Sequence, residues 1–139
     1  MISTVAVGTD GSDTAAQALK MASEVARRFD AEVVLLSAFD DSRTGSAARD
    51  REDQWSYSPA TRLREILSRA EEDLRKDGVR ARTMVGEGDP AEVLVRLAEE
   101  CDADVLVVGN KGMQRRVLGS VPNTVTHKAP CSVIIVKTT

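Results

Sequence analysis

One histidine and two cysteines are all that this 139-residue chain offers to the commonest catalytic and metal-binding chemistries. A His-centred triad or a His-rich metal site would have to be built around His127, which falls in a helical pattern away from any paired acid. Cys101 and Cys131 lack metal-type spacing and read as small core residues, kept as thiols in a reducing cytosol. No stretch approaches the roughly 20 apolar residues that a membrane span needs, and "MISTVAVGTDGS" lacks the basic start and apolar middle of a secretory signal. A cytoplasmic protein is therefore expected. Positive charge is not in excess either: 19 basic against 22 acidic residues leave a net charge of -3. Bulk electrostatics gives no pull toward nucleic acid or a membrane surface, so any anion site must be local. Two familiar phosphate cradles are missing as well, the Gly-x-x-x-x-Gly-Lys-Ser/Thr loop and a Gly-x-Gly-x-x-Gly after the first strand.

What is present is a regular alternation. Apolar runs of strand length recur in "STVAVG", "AEVVLLSAF", "VRARTMVG", "ADVLVVG" and "CSVIIVKT". Several are Val, Ile and Leu-rich without strict alternation, as in strands buried on both faces. Between them lie helical periods. Residues 13 to 29 set Ala15, Ala18, Leu19, Ala22, Ala26 and Phe29 on one face, and residues 59 to 76 do the same with Leu63, Ile66, Leu67, Ala70 and Leu74. A third helix opens with Asp89 as N-cap, Pro90 at its first position and Glu92 where a capping box places its acid, and continues through Leu94, Leu97, Ala98 and Cys101. A fourth runs from about Ser120 to Lys128 and stops before Pro130. The order strand-helix, four times over and closed by a strand, predicts one α/β domain over residues 1–139: an open five-stranded parallel sheet, doubly wound with helices on both faces. Residues 40 to 58 carry eight charges and neither period. They read as a long flexible loop, with Trp55 and Tyr57 capping the second helix against the core or covering a bound base.

Sheets of this kind take ligands outside the carboxyl ends of the strands, where the strand order reverses. Two polar glycine loops sit at such ends: "TDGSDT" after the first strand and "GNKGMQRRVLGS" after the fourth. Gly109 and Gly112, with Asn110 between them, would let the backbone turn and approach a ligand closely. Gly119 and Ser120 would open the fourth helix with free N–H groups, a dipole end and a hydroxyl. The same residues also suit a plain strand end, turn and helix cap. Asp10 is equally two-sided, a partner for a ribose hydroxyl or a divalent cation on one reading and a loop residue on the other. Arg115 and Arg116 are either phosphate clamps or solvated loop charges.

The combination resembles the universal stress protein family, in its adenine-nucleotide-binding branch. The likeness covers "VAVGTDGSDTAAQAL", "VGEGDPAEVLVRLAEECDADVLVVGNKG" and "LGSVPNTVTHKAPCSVIIVKT". The family's motif is Gly, two residues, Gly, nine residues, Gly, then Ser or Thr, and Gly109, Gly112, Gly119 and Ser120 match its fixed points. The resemblance implies a Rossmann-like fold of the adenine nucleotide alpha-hydrolase type. It also implies a nucleotide site in which Gly109 and Gly112 line the ribose and first phosphates. Gly119, Ser120 and the Val121 backbone would hold the outer phosphates, and Asp10 and Thr9 would lie against the ribose and nucleoside. The adenine would lie near Ala38, at the end of the second strand. ATP, AMP or cyclic AMP is the implied ligand, with Mg²⁺ accompanying the phosphates, and a homodimer through residues 132 to 137 is the implied assembly. One feature departs from the pattern: six residues, "MQRRVL", separate Gly112 from Gly119 where the family has nine. Fewer backbone donors are then expected around the second and third phosphates. The implied role is binding in a stress response rather than turnover, because no general base, nucleophile pair or acidic metal cluster can be assembled from the loops. Weak ATP hydrolysis, cyclic AMP binding and a nucleotide-free interaction module are the alternatives.

Overall fold

The computed structural model describes residues 1–9, 13–39, 59–110 and 120–137. Its elements follow the predicted alternation: β1 (Thr4–Gly8), α1 (Asp13–Phe29), β2 (Glu32–Phe39), α2 (Pro59–Lys76), β3 (Ala81–Glu87), α3 (Pro90–Glu100), β4 (Val105–Gly109), α4 (Ser120–Lys128) and β5 (Ser132–Val136). The expected loop, with Trp55 and Tyr57, lies outside the described residues. All strands are parallel, in the order β3-β2-β1-β4-β5. The long apolar runs form the three central strands, where Val5–Val7, Val33–Leu36 and Val105–Val108 are buried.

Successive side chains on a strand point to opposite faces, so each central strand feeds two cores. Val5, Val7, Val33, Leu35, Val105 and Val107 meet α1 and α2, while Ala6, Val34, Leu36, Leu106 and Val108 meet α3 and α4. The buried stripe of α1 is alanine, at positions 15, 18, 22 and 26, which brings that helix close to the sheet. Phe29 departs from the expected face and is 48% exposed. It is the last residue of α1, at the amino ends of the strands, where the helical period outruns the layer that would cover it.

The helix ends show local chemistry at work. Asp89 caps α3, its carboxylate accepting from the Glu92 N–H at 3.2 Å, with Pro90 in the first turn as expected. After α2, Gly78 adopts φ +83°, its N–H donates to the Arg75 carbonyl and the Val79 N–H to the Leu74 carbonyl, the left-handed stop that glycine takes without strain. In α4, Pro122 falls in the first turn, where no intrahelical N–H is required, and is fully buried. No described helix is long and apolar enough to cross a membrane.

Candidate functional site

Strand order decides where a site can form. The chain leaves β1 for β2 on one side, and β4 is laid against the other side of β1. α1, after β1, packs on one face of the sheet and α4, after β4, on the opposite face, and sheets of this kind take ligands in the crevice outside the carboxyl ends at such a switch point. Because β4 and β5 are parallel, α4 runs back against them and starts at that same end, with Ser120 and Val121 as its first two residues. Four backbone dipoles per end are unpaired in any helix, and here the positive end points toward the crevice.

Thr9, Ala38 and Gly109 are thereby brought to one edge. The register aligns Gly8 with Leu36, and the Thr9 N–H donates to the Leu36 carbonyl at 2.9 Å. On the other flank Val7 aligns with Val107, so Gly8 and Thr9 run on beside the last residues of β4. Gly109 is half-buried, whereas Asn110 is only 3% exposed and its N–H donates to the Val136 carbonyl at 3.0 Å. Asn110 thus ties the start of the glycine loop to β5. Asp10, Gly112, Arg115, Arg116 and Gly119 lie outside the described residues.

The end of β2 has a particular polarity. Backbone groups on a strand alternate between its two neighbours. The Phe39 carbonyl accepts from the Gly88 N–H at 2.8 Å, on the β3 side, and the Leu36 carbonyl accepts from Thr9, on the β1 side. Ala38 has the parity of Leu36. Its N–H and C=O are therefore directed toward β1, past the end of that strand's ladder, into the crevice. Sequence reasoning passes over the neighbouring Ser37, which is 3% exposed and donates its hydroxyl to the Thr9 carbonyl at 2.5 Å. Its signal was a polar residue closing the apolar run "VVLL" of a buried strand.

Groups with displaced acidity lie elsewhere. Asp104, at the amino end of β4, accepts from the N–H groups of Ser3 and Thr4 at 2.8 and 3.0 Å, and these bonds hold its carboxyl below the usual range. Burial pushes both the Cys101 and the Cys131 thiols up, which makes them poor nucleophiles, as a core role requires. A shallow depression lined by Glu32, Arg75, Gly78, Val79, Arg80 and Ala81 also sits at the amino ends. Its arginines are engaged, Arg75 with Glu71 and the Ala81 carbonyl, Arg80 with Asp30. Among the described residues no group of three or more His, Cys, Asp or Glu side chains is placed to hold a metal ion.

The chain matches a known family over nearly its whole length: the universal stress protein family model covers residues 1–137. The chain belongs to the universal stress protein family. Universal stress protein Rv1636 of Mycobacterium tuberculosis is 38% identical over 98% of this chain and 97% of its own length. A universal stress protein solved in complex with cAMP is 32% identical, covers 99% of this chain and 98% of its own, and superposes with a TM-score of 0.75. The universal stress protein of Archaeoglobus fulgidus solved in complex with dAMP is 28% identical over 97% of this chain and 98% of its own, with a TM-score of 0.74. In this family member, as in the fold-level expectation, the parallel sheet carries helices on both faces.

Proposed function

We propose that this universal stress protein binds an adenine nucleotide in the β1/β4 crevice. The observation that carries the reading is the end of β2, where Ala38 offers one N–H and one C=O side by side past the end of β1. An adenine edge presents an acceptor ring nitrogen beside an amino donor, the complement of that pair. Guanine and hypoxanthine place a carbonyl and a ring N–H there and would set donor against donor and acceptor against acceptor. Thr9 would contact the nucleoside, Asp10 the ribose, and Gly109 and Gly112 the ribose and first phosphate. Gly119, Ser120 and Val121 would face the outer phosphates at the start of α4, where helix N–H groups favour anions. Relatives of the same fold solved with cAMP and dAMP support a site built for one phosphate.

Six residues between Gly112 and Gly119 supply few backbone donors for a second and third phosphate, with Arg115 and Arg116 working in the opposite direction as guanidinium clamps. ATP enters the same site with Mg²⁺ on its phosphates, and most of the affinity resides in the adenosine and the first phosphate. Each hydrogen bond to a charged phosphate is worth about 1.5 to 3 kcal/mol, so one or two missing donors amount to roughly tenfold or more in affinity. The role is that of a cytoplasmic nucleotide-binding stress protein, a homodimer through β5, in which binding and not turnover is the output.

Calorimetric titration of ATP, AMP, cyclic AMP and IMP with Mg²⁺, on the native protein and on Arg115→Ala/Arg116→Ala, tests the proposal. AMP should bind, IMP at least about tenfold more weakly, and ATP within about tenfold of AMP. An absence of binding by all the adenine nucleotides refutes the site. ATP held more than tenfold tighter than AMP, and unaffected by the double substitution, refutes the one-phosphate reading, and steady release of ADP during the titration refutes the binding-only role.

A further inference from the structure

We infer, on the basis of the adenine-nucleotide reading, that Pro122 is a specificity-determining residue of that site, withholding from the outer phosphates a donor that the amino end of α4 would otherwise offer. The two helices on this face of the sheet dispose of the same backbone group in different ways. In the first turn of an α-helix the N–H groups have no carbonyl within the helix to bond. In α3 the third of these belongs to Glu92, and the Asp89 carboxylate accepts it at 3.2 Å. In α4 the third position is Pro122, which has no N–H, and the residue ahead of the helix is Gly119, which has no side chain to accept one. The capping route that α3 uses is thus closed to α4, and an N–H at position 122 would be left for an anion.

Position 122 also lies on the side of the helix end that matters. Pro122 and Val125 are fully buried, and Val125 belongs to the core that holds Leu94, Leu106 and Val108, so these two residues mark the face of α4 turned to the sheet. The N–H groups of a helix point along its axis toward the amino end, which for α4 lies at the carboxyl ends of β4 and β5. The proline ring sets its Cδ methylene where the hydrogen would be, an apolar group in the direction of the phosphates. Of the first three residues of α4, only Ser120 and Val121 keep an N–H. The fixed φ of proline suits a first turn, so the fold is not weakened by it. The loss falls on the ligand. It falls on ATP, whose second and third phosphates lie at the start of α4 in this site, and spares AMP, whose phosphate lies at Gly109 and Gly112.

Calorimetric titration of ATP and AMP with Mg²⁺ on native protein, Pro122→Ala and Pro122→Val tests the role. Both variants restore the N–H, and valine stays close to the ring's volume on the buried face. ATP should bind about tenfold tighter or more to both variants, the worth of one hydrogen bond to a charged phosphate, and AMP within about threefold of native. By NMR, the new amide proton at position 122 should move downfield on addition of ATP and stay in place with AMP. A ratio of ATP to AMP affinity unchanged in both variants overturns the role of Pro122, because a proline that only fills space and shapes the first turn would alter Tm and leave that ratio alone. Equal tightening of ATP and AMP overturns it as well, since the donor would then serve the first phosphate. Either result leaves the nucleotide site standing. Failure of the native protein to bind AMP overturns the nucleotide reading, and this inference with it.

Discussion

Gly86→Ala adds one methyl group to β3 and puts it where the packing of α3 has no room. A Cβ at Gly86 would lie 2.8 Å from Val93 Cγ1, 2.8 Å from Arg96 Nη2 and 3.7 Å from Leu97 Cδ1. The contacts differ in kind. Arg96 is half-exposed and meets the new methyl with the tip of a flexible side chain, so it can swing away with little loss, its ion pair to Glu100 at 3.6 Å being solvent-exposed. Val93 is 1% exposed on the buried face of α3 and has no free direction. Its χ1 is stiff in a helix, so relief must come from moving the helix or the strand. Overpacking of this sort costs about 1–3 kcal/mol, while replacing glycine by alanine restricts the unfolded chain and returns about 0.4–1 kcal/mol. A net destabilisation of about 1–2 kcal/mol is expected. With a urea m-value of roughly 2 kcal/mol per M, the midpoint falls by about 0.5–1 M at constant m. Because Gly86 is the register partner of Ala38, the displacement is passed to the recognition edge, and AMP binding should weaken along with stability. Arg96→Ala in both backgrounds serves as the control and should leave the penalty unchanged within about 0.5 kcal/mol. Stability equal to or above that of the native protein, or a penalty abolished by Arg96→Ala, would refute the assignment of the strain to Val93.

The remaining expectations concern the two ends of the sheet. The Asp104 carboxyl is held below its usual value of 3.8 in the folded protein by the Ser3 and Thr4 N–H groups, so its contribution is present above that value and is lost as pH falls through the lower folded value. The difference in Tm between native protein and Asp104→Ala should stay constant from about pH 8 to 5 and shrink below about pH 4; a difference that persists unchanged to pH 3 would contradict the bond. At the β5 edge, the Val136 carbonyl faces β4, since it accepts from Asn110, so Ile135 has the opposite parity and its N–H faces outward. Ile135→Pro therefore removes a donor from the open edge without cutting the β4 ladder, and should convert a dimer to a folded monomer in sedimentation at micromolar concentration. A native protein that is already monomeric there would rule out pairing through β5.

Secondary structure was legible because it is written in short-range terms. An alanine stripe at 15, 18, 22 and 26, an Asp89-Pro90 start and apolar runs of five to eight residues act within a few positions of chain, and each appears where periodicity and capping put it. Phe29 shows the limit of that logic: the period says which way a side chain points and not whether a layer is there to meet it. The glycine spacing and the order of strands and helices were enough to name the family and to mark the carboxyl ends. The sequence by itself thus determined the fold class and the family. Strand order, β3-β2-β1-β4-β5, was left to the tertiary structure, because pairing between strands some 30 to 100 positions apart depends on how four helices share two faces, and no local pattern encodes that. The register was left to it as well. Only in the assembled sheet does β2 outrun β1, so that Ala38 lies past the end of the β1 ladder and the hydroxyl of Ser37, the polar residue closing an apolar run, reaches the Thr9 carbonyl beside it.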